Sequence, residues 1–202
     1  MTVMRFYSFF PDGDNSLTLV QVEADYFERH RFVGRPMADS WQAPRLRVLG
    51  RSMKLRDFVS WDLSVLVVSL KAREALEKLI APYVEFLSLI EVKGRKLFAV
   101  NVIEVLHCLD REASNITFSP DDPTRIIHIQ KFAFIPRKLK SVPVFKVPEW
   151  PGAIFVSEEF VQLVVEAKLK GAGFDNPEDI RYVKPPWDGT MAGLPSVRDY
   201  SL

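Results

Sequence analysis

The sequence predicts an α+β fold in which a mostly antiparallel or mixed sheet is packed by two main helices. Apolar residues recur at three- and four-residue spacing over helical lengths in two segments, 70–81 and 158–170. Segments rich in β-branched and aromatic residues are more numerous, and turn-forming residues rather than helices join most of them. This order is typical of an antiparallel sheet with a few covering helices, and not of a parallel sheet with crossover helices.

The composition indicates a folded, charge-balanced protein. The 202 residues are 48% hydrophobic and 26% charged, and the net charge is +1 at pH 7. A chain of this kind buries enough surface to fold without metals or disulfides, and its balanced charge gives no overall attraction to a polyanion. Its strongest apolar run, 63–70, is too short to span a membrane. The single cysteine, Cys108, excludes an internal disulfide, and the first six residues do not resemble a signal peptide. We therefore expect a cytoplasmic protein without a cofactor.

The first quarter of the chain contains strand signals and one long connection. Segments 5–10 and 17–22 flank a turn signal at 11–14, which predicts a hairpin. Residues 23–44 are charged and aromatic without a regular period, so an irregular connection is expected there. Basic and apolar residues alternate over 45–49, as in a half-buried strand.

Both predicted helices begin after a serine that can cap them. The buried run 65–68 leads into the helix of 70–81, with Ser69 as the expected N-cap. Ser157 is the expected N-cap of the helix over 158–170, which has glutamates in its first turn and lysines near its end. The helix dipole favours this distribution of charge at the two ends of the second helix.

Further strands are expected in the second half of the chain. Segments 84–92 and 96–101 flank a Lys-Gly-Arg turn and predict a hairpin. A strand that is apolar on both faces is expected over 102–109, and two more over 126–134 and 144–147.

The chain is expected to form one α+β domain over 1–174. No repeat or low-complexity tract interrupts this part. Residues 175–202 are richer in proline and glycine and predict an extended C-terminal tail.

Motifs of catalysis and metal binding are absent from the sequence, which has no G-x-S-x-G elbow, no H-E-x-x-H and no glycine-rich phosphate loop. His107 and Cys108 are neighbours on an expected strand, so their side chains point to opposite faces and cannot form a nucleophile–base pair unless the backbone is irregular there. His107, Asp110 and His128 form a metal or hydrolase site only if the fold brings them together. We expect structural roles for them and no enzyme.

The densest basic cluster lies over 45–56, where five cations occur in twelve residues without an acidic residue. Three aromatic residues flank this segment: Trp41, Phe58 and Trp61. Basic residues interleaved with aromatics are typical of single-stranded nucleic-acid grooves, so a nucleic-acid-binding module is the alternative function. Exposed strands carry the same pattern, and Arg51 and Lys54 are also candidates for contact with a protein partner.

Two tryptophans lie next to prolines in expected loops. Trp150 follows Glu149 between two prolines, and Trp187 precedes Asp188 after a pair of prolines. Proline stiffens the backbone, and a tryptophan held in place loses little entropy when a partner binds it. Tryptophan is also frequent among the residues that dominate binding energy. We therefore expect these four residues to contact a partner, although a tryptophan beside proline also covers the edge of its own core in many proteins.

A series of short segments between residues 57 and 174 follows a distinctive order. They are Asp57-Phe58-Val59-Ser60, Val67-Val68-Ser69 before a helix, Tyr83-Val84-Glu85-Phe86-Leu87, Asn101-Val102, Leu109-Asp110 with Ser114, Ile154-Phe155-Val156-Ser157-Glu158-Glu159-Phe160, and Leu169-x-Gly171-x-x-Phe174. This order resembles that of a family of bacterial immunity proteins, first catalogued as a domain of unknown function, that includes a myxobacterial-type member of polymorphic toxin systems.

The resemblance implies a cytoplasmic protein that protects its producer by binding a cognate toxin domain encoded beside it, without catalysis. It assigns the family-like core to 57–174. It carries no binding-residue motif onto this sequence, so the partner-binding candidates are those found by physical reasoning: Glu149, Trp150, Trp187, Asp188, Arg51 and Lys54.

Overall fold

Strands dominate the structure, and two helices longer than one turn pack on them, which confirms the predicted α+β class. The structure is a computed structural model that describes residues 3–12, 17–49, 54–62, 64–179 and 200–201. The strands are β1 (Val3–Met4), β2 (Phe6–Pro11), β3 (Thr18–Gln21), β4 (Leu46–Leu49), β5 (Phe58–Asp62), β6 (Val65–Ser69), β7 (Val84–Ser88), β8 (Leu97–Val102), β9 (Asn115–Ser119), β10 (Asp122–Lys131), β11 (Val144–Phe145), β12 (Ile154–Ser157), β13 (Ala172–Asp175) and β14 (Tyr200–Ser201). The helices are α1 (Tyr26–Arg29), α2 (Leu70–Ile80) and α3 (Glu158–Glu166).

The larger sheet has six strands in the order β4-β3-β5-β6-β8-β7. Its neighbouring strands are antiparallel except β3 and β5, which are parallel where Thr18 lies opposite Ser60. The predicted hairpin between 84–92 and 96–101 is confirmed as β7 and β8. Lys93 and Gly94 have positive φ angles at its turn, where glycine is the residue that adopts this conformation most easily.

The second sheet has four antiparallel strands in the order β11-β12-β2-β13. Two smaller pairings complete the described strands, the β9–β10 hairpin and the pairing of β1 with β14. The expected hairpin between 5–10 and 17–22 is wrong, because β2 belongs to the four-stranded sheet and β3 to the six-stranded sheet. The apolar strand β2 is instead paired on both sides, by β12 and β13, which come from the far end of the chain.

The central hydrophobic cluster combines both sheets with both long helices. Side chains of the six-stranded sheet, such as Val68 and Val100, pack with Phe9 and Ile154 of the four-stranded sheet and with Phe160 of α3. The opposite face of each sheet is also covered, by residues of the 23–44 connection on one and of 106–134 on the other. Burial on both faces explains why several strands read as continuous apolar runs.

Serine caps begin both long helices, as predicted. Ser69 Oγ accepts from Ala72 N–H at 3.2 Å, and Ser157 Oγ accepts from Phe160 N–H at 3.3 Å. The helix expected over 158–170 ends earlier, at Glu166.

The reason for the early end of α3 is a C-terminal turn at Lys168. Lys168 has a φ of 51°, its N–H donates to Val165 O, and Leu169 N–H donates to Val164 O. These two bonds form a Schellman motif, in which a left-handed residue reverses the chain and satisfies the last carbonyls of the helix. Lys168 occupies the left-handed position that glycine takes in most such motifs.

Two other expectations in the second half need correction. Residues 102–109 do not form one strand, because after β8 ends at Val102 only isolated bridges at Val105 and Leu109 continue the pairing. The strand expected over 126–134 is β10, and its partner β9 lies in a segment for which no strand was predicted.

The start of the predicted tail is packed on the domain, since Phe132 N–H donates to Pro177 O at 2.7 Å.

Candidate partner-binding site

The turn that carries Trp150 joins β11 to β12 and is held by its own hydrogen bonds. Trp150 N–H donates to Val147 O at 3.3 Å, and Ala153 N–H donates to Trp150 O at 3.0 Å. A buried side chain also holds the turn, because Lys146 Nζ donates to Pro151 O at 2.8 Å. The backbone on both sides of the tryptophan is therefore fixed, as the flanking prolines predict.

The indole of Trp150 is half-buried and packs against a hydrophobic cluster that includes Phe145 and Phe155. Part of its surface remains available to a partner. The neighbouring Glu149 is also half-buried, and its Oε2 has no hydrogen-bond partner in the described part of the chain. Leaving a buried carboxylate oxygen without a donor is unfavourable for the stability of the protein.

Lys146 is a buried lysine that the sequence analysis did not single out. Its side chain is 1% exposed, and its Nζ donates to Phe32 O at 2.6 Å, Ser64 O at 2.8 Å and Pro151 O at 2.8 Å. One ammonium group thus joins the 23–44 connection, the β5–β6 turn and the Trp150 turn. Burial lowers the pKa of Lys146 to about 7, and the Asp62 carboxylate opposes this shift. The sequence feature that could have predicted the burial of Lys146 is its position as the single charged residue in the apolar run of 142–147.

The basic segment over 45–56 is partly neutralised by acidic residues. Arg45 Nε lies 2.7 Å from Glu23 Oε1, and this bond lowers the pKa of Glu23. Arg56 Nη1 lies 3.2 Å from Asp12 Oδ2. The other described cations of the segment are exposed: Arg47 and Lys54.

The aromatic residues beside this segment do not line a groove. Phe58 is 0% and Trp61 8% exposed, and Trp61 Nε1 donates to Gln21 Oε1. Trp41 is half-buried, and its Nε1 donates to Ser88 O at 2.8 Å. Because these rings are part of the core or its cover, they offer no stacking platform for bases. The structure therefore does not favour the nucleic-acid alternative.

The candidate residues of a hydrolase or metal site are spread between core and surface. Cys108 is buried, whereas the neighbouring His107 is exposed, so the two side chains diverge. Burial raises the pKa of the Cys108 thiol to about 12, which disfavours the reactive thiolate. Asp110 Oδ1 accepts two backbone N–H groups of its own turn, and His128 is exposed on β10. Within the described ranges, no three such side chains form a group that could hold a metal ion.

The six predicted contact residues divide into two sets. Arg51, Trp187 and Asp188 lie outside the described residues and remain predictions. Glu149 and Trp150 share one turn, and the exposed Lys54 lies four residues before the start of β5. Their contact with a partner also remains a prediction.

Comparison with known proteins identifies the family. A family model described as Immunity protein family (Imm11) matches residues 15–179, well over half of the chain. The chain belongs to this Imm11 family. The match includes the family-like core expected over 57–174 and extends it to include β3, β4 and the 23–44 connection. No curated protein matches the chain. Of the helices in the described part of this Imm11 protein, none is long and apolar enough to cross a membrane.

Proposed function

We propose that this Imm11 protein neutralises a cognate bacterial toxin domain by binding it directly, without catalysis. The observation that carries the proposal is membership of the immunity family over residues 15–179. The toxin is expected to be encoded beside the gene for this chain, as in polymorphic toxin systems, and the complex is expected to form in the cytoplasm of the producer.

The Trp150 turn supports a role in this contact. Hydrogen bonds hold its backbone on both sides of the tryptophan, so little conformational entropy is lost when a partner binds. It offers part of an indole, and the half-buried side chain of the acidic residue Glu149 lies next to it in the chain. Such a combination suits a partner surface with an apolar pocket beside a hydrogen-bond donor.

Co-expression tests the function. The toxin domain from the neighbouring gene is induced in a sensitive bacterium with this chain, with an empty vector, or with an unrelated immunity protein. We expect survival only with this chain, and co-purification of the chain with a catalytically inactivated toxin domain. Survival without a stable complex would show that protection does not act through direct binding. The absence of both would contradict the proposal for that pair.

Two variants at Trp150 test the contact surface. Trp150→Ala removes the indole and should weaken toxin binding by about 2 kcal/mol or more, a loss of about 30-fold, if the indole is an anchor. It should also cost some stability, because the indole is half-buried. Trp150→Phe retains most of the packing and is the control. Unchanged affinity of a folded Trp150→Ala variant would place the contact elsewhere.

A further inference from the structure

The outer edge of β4 lacks a partner strand in the described structure. β4 is the last strand of the six-stranded sheet and pairs with β3 alone. Its pairing with β3 is regular over Leu46–Leu49, without the bulges that interrupt the β9–β10 hairpin. A regular strand with a free edge can accept another strand, and proteins usually protect such edges.

The register shows which backbone groups face outward. Val22 N–H donates to Arg45 O at 2.8 Å, so these two residues form a hydrogen-bonded pair. Pairing alternates along an antiparallel ladder, so Arg47 and Leu49 also direct their backbone groups to β3. Leu46 and Val48 then direct their N–H and C=O groups away from the sheet. The outer edge of β4 thus offers two donors and two acceptors to an added strand.

The opposite edge of the same sheet is covered by the chain itself. The segment before β4 lies along β7, where Met37 N–H and Ala38 N–H donate to the Glu85 carboxylate. Trp41 Nε1 donates to Ser88 O in the same strand. The 23–44 connection therefore protects β7, and no equivalent cover is found over β4 in the described residues.

The side chains of β4 indicate which kind of strand would fit. Arg47 and Leu49 project from one face, and Leu46 and Val48 from the other, because side chains alternate along a strand. Val48 and Leu49 are 39% and 56% exposed, and Arg47 is exposed without an ion-pair partner in the described part of the chain. Arg45 lies on the Arg47 face, and its side chain is 78% exposed despite its bond to Glu23.

Charge argues against a second copy of this chain on the edge. Two copies of β4 in antiparallel pairing would bring the arginines of both strands close together, and like charges opposite each other destabilise a sheet. A strand with acidic residues on the face of Arg45 and Arg47, and apolar residues on the face of Leu46 and Val48, would instead form favourable cross-strand pairs.

We propose that the outer edge of β4 receives an extended segment of the toxin domain with alternating acidic and apolar residues, as an added strand of the six-stranded sheet. This inference rests on the proposed function and names the chemistry of the contact. Backbone hydrogen bonds from Leu46 and Val48 supply affinity, and the arginines select the acidic pattern.

Two pairs of variants of the full chain test the edge. Val48→Pro removes an outward N–H without removing a bond to β3, and Val48→Thr is its matched control. Arg47→Glu reverses the selecting charge, and Arg47→Lys retains it. With the inactivated toxin domain from the neighbouring gene, Val48→Pro and Arg47→Glu should each weaken binding at least tenfold. The two controls should stay within threefold of the unsubstituted chain, and thermal melting should show that all four variants are folded.

The outcomes separate this inference from the proposed function. If the unsubstituted chain binds the toxin and both disruptive variants bind equally well, the edge proposal is overturned and the function stands. If the unsubstituted chain neither binds nor protects, the function fails for that pair, and labelled (Glu-Val)4 and (Lys-Val)4 peptides then test the edge. Binding of the acidic peptide alone, lost in Val48→Pro, supports the edge proposal, and equal or absent binding of the peptides overturns it. Salt-dependent binding of a single-stranded 20-nucleotide DNA that is lost in Arg47→Glu would also overturn the edge proposal. The arginines would then bind phosphate groups of a nucleic acid and not acidic side chains of the toxin.

Discussion

Replacing Lys146 by methionine removes the ammonium group that joins three separate loops. Methionine has nearly the same length and no charge, so the volume of the buried site is kept. The carbonyl groups of Phe32, Ser64 and Pro151, now bonded at 2.6–2.8 Å, lose this donor. Lys146 is only 1% exposed, so the three carbonyl groups around it are closed to solvent. A water molecule therefore does not replace the lost donor.

The expected cost follows from two opposing contributions. Leaving a buried acceptor without a donor costs about 1–3 kcal/mol, so three carbonyls lose about 3–9 kcal/mol of stability. The substitution also removes the desolvation penalty of a buried cation, which amounts to several kcal/mol. We therefore expect a net loss of about 2–4 kcal/mol in the free energy of unfolding for Lys146→Met near pH 7.

The loss should depend on pH, because burial lowers the pKa of Lys146 to about 7. Between this value and the pKa of an unfolded lysine, about 10.4, the unfolded chain binds one more proton at this residue than the folded chain. The stability contributed by Lys146 therefore rises with pH in this window, by up to about 1.4 kcal/mol per unit. The methionine variant lacks this contribution, so its deficit should grow by about 2 kcal/mol between pH 7 and pH 9.

Urea unfolding of both proteins at pH 6, 7, 8 and 9 measures these differences. Lys140→Met is the matched control, since Lys140 is 66% exposed in its pair with Glu104 and its loss should cost less than about 1 kcal/mol. A Lys146→Met variant as stable as the unsubstituted protein would refute the structural role. A deficit that is the same at every pH would show that the three carbonyls keep Lys146 protonated in spite of its burial.

Three further substitutions or modifications test other buried groups. Asp57→Ala should lose about 2–4 kcal/mol by urea unfolding, because this buried carboxylate accepts a serine hydroxyl and a backbone N–H at 2.9 and 3.0 Å; a loss below 1 kcal/mol would contradict this. Gly171→Ala should destabilise the protein by more than about 2 kcal/mol, since its φ is +94° and a Cβ would lie 2.5 Å from Phe58 O. Gly94→Ala, with a positive φ and no atom within 4 Å, should cost less in thermal melts, and equal losses would exclude the steric explanation. Cys108, whose pKa burial raises to about 12, should react with a thiol reagent at pH 8 only as fast as the chain unfolds, and a fast reaction of the folded protein would contradict its burial.

Helices and their starting points could be predicted because their determinants are local. Ser69 and Ser157 cap α2 and α3 by bonds to residues three positions later, and the apolar stripes lie within each helix. The hairpin at Lys93 and Gly94 is local for the same reason. The end of α3 was less predictable, because lysine rarely adopts the left-handed conformation that Lys168 has there.

The candidate site was predictable only in part. The stiffness of the Trp150 turn follows from its prolines, but the half-burial of the indole depends on a cluster that includes Phe155, a later residue of another element. The aromatics near the basic segment looked available in the sequence, and Trp61 proved to be in the core. The hydrogen bonds of Lys146 join residues up to 114 positions apart, so no local sequence pattern predicts them.

By itself, the sequence determined the α+β class, the two capped helices, the balanced charge and the resemblance to an immunity family, because each of these depends on composition, short-range spacing or the order of segments. The tertiary structure alone decided that β2 and β3 belong to different sheets and that Lys146 is buried among three carbonyls. It also decided that, among the described residues, the edge of β7 is covered and no strand covers the outer edge of β4. These features arise from contacts between residues far apart in the chain. Strand pairing and edge coverage depend on which distant segments bury their apolar faces together, and that choice is made by packing over the whole domain.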